Sequence, residues 1–161
     1  MDNNLGSATE SGITHFAMTP PRDSSVDARE NRVIFQNKRA TMEVASVSRE
    51  FADVVFHIGG LDDPRIIMPL GADVTITFEN QDGIHSHGWR LIKDTPPFAN
   101  PHDAATKPLA FTGSEIAPLP PHGHGQAHFV ANKPGVYTYV CPVSGDDGIG
   151  LYGEWEVSPS H

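Results

Sequence analysis

A single cysteine, Cys141, stands in this chain of 161 residues, so no disulfide can form within it. The lone thiol is a buried small hydrophobe, a reactive group or a metal ligand, and its surroundings must decide which. Positive charge is also scarce: 11 basic against 20 acidic residues leave a formal net charge of −9. That balance excludes a non-specific grip on nucleic-acid phosphates or anionic lipid and leaves basic partners open. No run approaches the roughly 20 apolar residues of a membrane span. Residues 1–20 lack the charged and apolar regions of a signal peptide, as a secreted protein in mature form also would. Acidic residues are scattered, and no nucleophilic triad or acid–base pair has a persuasive spacing, so an enzyme is not expected.

What the chain does contain is punctuation. Its 15 glycines and 14 prolines interrupt the sequence too often for long helices, and its length suits one domain with a real core. Residues 1–31 are mostly polar and read as a flexible or loosely docked extension. From Arg32 onward, short β-branched runs predict strands at 33–35, 42–47 and 54–58. The clearest strand is 73–79, where Val74, Ile76 and Phe78 alternate with polar residues. Further strands are predicted at 89–92, 111–116, 126–130, 136–141 and 152–157, with a proline-rich loop over 93–108 and a turn at 132–135. About eight short strands at this spacing argue for an all-β, antiparallel Greek-key sandwich. Trp89, Phe98, Tyr137, Tyr139, Tyr152 and Trp155 are its expected core and end caps.

The chemistry concentrates in two segments: Ile84-His85-Ser86-His87-Gly88-Trp89, and the run from Tyr137 through Cys141 to the glycine-rich loop at 145–150. A strand ending in cysteine offers one thiolate, and soft sulfur with borderline imidazole nitrogen suits both oxidation states of copper. Several features occur together: the turn at Pro69 to Ala72, the strand after it, His87 nine residues before Pro96-Pro97, the Pro134-to-Tyr137 turn, and Cys141. Over residues 33–157 this pattern resembles the cupredoxins, and among them the rusticyanin and sulfocyanin group. The resemblance implies a cupredoxin-like domain over 32–161 and one copper ion. It also implies an extracytoplasmic, monomeric protein with a redox or copper-delivery protein as partner.

That family binds copper through a histidine before the double proline, the cysteine, a histidine five residues later and a methionine five after that. His87 and Cys141 match the first two positions, whereas Asp146 and Leu151 stand at the others. Leucine cannot coordinate, and a carboxylate is harder than imidazole, so an atypical site of His87, Cys141, His85 and Asp146 is expected. His85 shares a face with His87 if the segment is extended; in a solvated loop it contributes nothing. The alternative is a metal-free scaffold used as a binding or structural module. His85-Ser86-His87-Gly88 also looks like an element of multicopper oxidases, but one copy in one domain falls short of their cluster. His122, His124 and His128 form a second group, read as surface imidazoles, the first two in a loop and the third facing away from the core.

Overall fold

A computed structural model describes residues 15–48, 54–95, 106–143 and 151–159. Every named element in it is a strand: β1 (Ser24–Asp27), β2 (Arg32–Phe35), β3 (Arg39–Ser48), β4 (Val54–Ile58), β5 (Leu61–Asp62), β6 (Arg65–Pro69), β7 (Ala72–Asn80), β8 (His87–Ile92), β9 (Glu115–Leu119), β10 (His124–Ala131), β11 (Gly135–Val140) and β12 (Tyr152–Ser158). They form a seven-stranded sheet in the order β1-β2-β6-β12-β11-β8-β9 and a five-stranded sheet in the order β10-β7-β3-β4-β5.

The alternation read at 73–79 is the actual pleat of β7, whose residues are buried at every second position. Register follows from it. Ala40, Met42 and Val44 of β3 lie beside Val74, Ile76 and Phe78, so a one-residue slip would turn the three of one strand out of the core. The inner face of the other sheet supplies Ile66, Met68, Trp89, Leu91, Tyr139, Trp155 and Val157 to the same core. Trp89 stacks on Phe129 across the two sheets at 6.1 Å between ring centroids, and Trp155 meets Trp89 edge-on at 5.8 Å.

The sheets are mixed where antiparallel pairing was expected. β3 with β7, β2 with β6, and β6 with β12 run parallel. Parallel neighbours are joined through other strands and not by a tight turn, so no local motif announces them. Twelve strands stand where about eight were expected, the added ones short or weakly patterned, β1 and β5 among them. The strand predicted at 111–116 starts later, at Glu115. Gly113 has φ of +90° and the Ser114 hydroxyl donates to the Phe111 carbonyl at 2.8 Å, so a turn occupies its first half. Phe111 is nevertheless buried, which is why its hydrophobicity resembled a strand.

From His15 on, the N-terminal segment lies against the sandwich. β1 pairs with β2 across the boundary read at Arg32, and the amide of the buried Ala17 donates to Glu43 at 2.8 Å.

Candidate metal centre

The centre sits where β7 hands the chain to β8. Asn80, the last residue of β7, is fully buried. Its amide nitrogen donates to the carbonyls of His85 at 2.9 Å and Leu119 at 3.0 Å. Its oxygen accepts the Ser46 hydroxyl at 2.9 Å and the backbone N–H of Asp82 at 3.0 Å. One side chain thus ties β3, the end of β9 and the intervening bend into a fixed shape. The chain bends through residues 83–85 and re-enters the sheet at His87, the first residue of β8.

Cys141 follows β11 directly, and its N–H donates to the Leu151 carbonyl at 3.0 Å. Its sulfur is fully buried, accepts the Gly88 N–H at 3.4 Å, and lies 3.8 Å from Nδ1 of His87, whose ring is also buried. Gly88 permits this approach. A β-carbon there would come within 2.7 Å of the Ile116 carbonyl, where the β8–β9 pairing shifts register. Bonds of about 2.0 Å to imidazole nitrogen and about 2.3 Å to thiolate, opened to about 120°, place the two donors about 3.7 Å apart. The observed separation therefore fits two ligands of one ion.

The remaining expected donors differ in their placement. Asp146 lies outside the described residues, as do Gly145, Gly150, Pro96, Pro97 and Phe98. Leu151 is fully buried next to Cys141 and offers no electron pair. His85 sits in the bend and not in an extended strand; its ring is 70% exposed, with its centroid 6.4 Å from that of His87. Among the described residues, no group of three or more His, Cys, Asp or Glu side chains gathers to hold a metal ion.

Sequence reasoning missed Asp82. Only 1% exposed, it places Oδ2 at 2.6 Å from Nε2 of His87 and 3.3 Å from Nδ1 of His85, while Oδ1 accepts the Ile84 N–H at 2.9 Å. Burial pushes its carboxyl pKa up, but the hydrogen bonds from His87 and from the Ile84 and His85 backbone, with the charge of His87, hold it below the usual carboxylate value. The one available signal was Asp82-Gly83, a turn dipeptide that can fold a carboxylate back onto a nearby histidine.

The second histidine group lies on the outer face of the five-stranded sheet. His124 and His128 are exposed residues of β10, beside Glu79 at 3.7 Å and Asp73 at 2.5 Å. His124 is therefore the first residue of a strand, where a loop was expected, and His128 does face away from the core.

No family model matches the chain. Rusticyanin from Acidithiobacillus ferrooxidans is 29% identical over 124 residues, spanning 76% of this chain and 78% of that protein. The structure of rusticyanin from Thiobacillus ferrooxidans superposes with a TM-score of 0.69 at 21% identity, covering 92% of this chain and 90% of that one. The chain has the fold of rusticyanin and is similar to it in sequence. Another rusticyanin structure, described as that of a copper protein, matches with a TM-score of 0.65 at 22% identity over 92% of this chain and 91% of that one. In this frame the buried His87–Cys141 pair lies where the chain passes from β7 of one sheet into β8 of the other, beside the end of β11. No described helix is long and apolar enough to cross a membrane.

Proposed function

We propose that this cupredoxin is a small one-electron carrier built on a single copper ion in an atypical site, with His87 and Cys141 as its core ligands. The observation that carries the reading is the juxtaposition of the two buried donors, 3.8 Å apart, with a backbone N–H already aimed at the sulfur. Copper held between soft sulfur and borderline nitrogen supplies one-electron chemistry, because that donor set suits both of its oxidation states. Burial of both side chains keeps water from the donors, and the Gly88 amide offsets thiolate charge. Asp146 is the third donor in this proposal and Leu151 caps the centre without coordinating, whereas His85, held on Asp82 behind Nε2 of His87, stands outside the donor set. The likeness to rusticyanin supports electron transfer over catalysis, a redox or copper-delivery protein as partner and a location outside the cytoplasm; a monomer completes the reading.

Leu151 favours one competing reading, in which the sandwich holds no metal and serves as a binding module. Titration of the full chain with Cu(II) separates the two. Stoichiometric uptake with intense thiolate-to-copper absorption, lost in Cys141→Ser, supports the carrier. A colourless product in which Cys141 still reacts with thiol reagents supports the module.

A further inference from the structure

We propose that Asp82 is the positioning residue of this centre: its buried carboxylate fixes which nitrogen of His87 carries hydrogen and so leaves Nδ1 as the electron-pair donor facing Cys141. The inference deepens the copper reading and rests on it for its functional meaning.

An ionised carboxylate only accepts. Its Oδ2 lies 2.6 Å from Nε2 of His87, and both side chains are almost wholly removed from water, at 1% and 2% exposure. Nε2 must therefore carry the hydrogen, and in the neutral ring the lone pair is then on Nδ1. That is the atom 3.8 Å from the sulfur of Cys141. A carboxylate behind a ligating imidazole also strengthens its donor nitrogen, which matters most where a thioether is missing. Asp82 is itself held from two sides: its N–H bonds to Asn80 and its Oδ1 accepts the Ile84 N–H. The aim of the carboxylate is thus set by backbone and a buried amide. His85 reaches the same Oδ2 from the solvent side at 3.3 Å.

Asparagine at this position makes a sharp test. Asp82 uses both oxygens as acceptors, whereas an amide has one acceptor and one donor end. The Ile84 N–H is fixed in the backbone and cannot reverse its polarity; the imidazole can, by moving its hydrogen. In Asp82→Asn the amide oxygen therefore stays with Ile84 and the NH2 group turns to His87, forcing hydrogen onto Nδ1 and closing the coordinating atom.

Long-range proton–nitrogen NMR on the full, metal-free chain, at a pH where His87 is neutral, reads this without copper. The expected result is hydrogen on Nε2 in the wild type and in Asp82→Glu, and on Nδ1 in Asp82→Asn, with Cu(II) affinity of the last reduced about 10- to 100-fold. Hydrogen on Nδ1 in the wild type, or on Nε2 in a folded Asp82→Asn protein, overturns the proposal whatever the affinity. If Asp82→Asn does not fold, the wild type decides alone: a downfield, slowly exchanging Nε2–H resonance supports the proposal, and its absence overturns it. A switched tautomer in a chain that takes up no copper sustains the positioning role and removes the copper reading instead.

Discussion

At the scale of the single residue, the centre is defined as much by what cannot coordinate as by what can. Leu151 is fully buried, and its carbonyl holds the Cys141 N–H. Its side chain is thus shut away from water and adds no donor. An added thioether would favour the more highly charged Cu(II) over Cu(I). Leu151→Met, close to isosteric, should cost less than about 1.5 kcal/mol in stability and lower the reduction potential of the copper-loaded protein, as read by voltammetry. A potential unchanged from wild type would place position 151 out of reach of the ion. Cys141 and His87 were legible in the sequence because a unique thiol after a strand and a histidine at a fixed distance from a double proline are linear patterns. Asp82 was not, because its role depends on a bend that folds it onto a residue five positions ahead.

The bend is itself a product of the element before it. β7 was the most legible strand, since Val74, Ile76 and Phe78 alternate cleanly, but its value to the site comes from its last residue. Asn80 satisfies four hydrogen bonds at once, and each buried partner left unpaired costs about 1–3 kcal/mol. Asn80→Ala orphans the Asp82 N–H and the His85 and Leu119 carbonyls and frees the Ser46 hydroxyl. Relaxation of the bend recovers part of that loss. A net destabilisation of about 2–4 kcal/mol is expected from denaturant unfolding, together with weaker Cu(II) binding because Asp82 and His87 both hang from the bend. Loss of stability with copper affinity intact would show that β8 alone positions His87. Strand pairing was the least legible level. The four residues of β1, Ser24-Ser25-Val26-Asp27, carry almost no pattern, and only the sheet of β2 gives them a partner. The parallel neighbours β3 and β7 are each amphipathic in sequence, yet nothing local in either names the other.

Across the whole molecule, a composition only 8% aromatic still dominates the interior, because its rings cluster between the sheets. Tyr139 lies against Phe56 at 5.5 Å and Trp155 at 6.3 Å, is fully buried, and donates its hydroxyl to the Pro64 carbonyl between β5 and β6 at 2.5 Å. Gly153 on β12 makes room for it, since a β-carbon there would fall 2.3 Å from the phenol. Burial first, and the charge of Asp63 second, push the phenol pKa well above its ordinary value of 10.0. Because the raised value belongs to the folded state, the stability that Tyr139 contributes is fully present below pH 10 or so and is lost as pH rises through the folded value. Over that window the unfolded chain releases a proton that the native one keeps, and the loss approaches about 1.4 kcal/mol per pH unit. Denaturant unfolding between about pH 9 and 12 should therefore show a steep decline, and Tyr139→Phe, less stable at neutral pH because the Pro64 carbonyl loses its partner, should show a shallower one. Equal slopes for the two proteins would mean that the phenol ionises as readily in the core as in water.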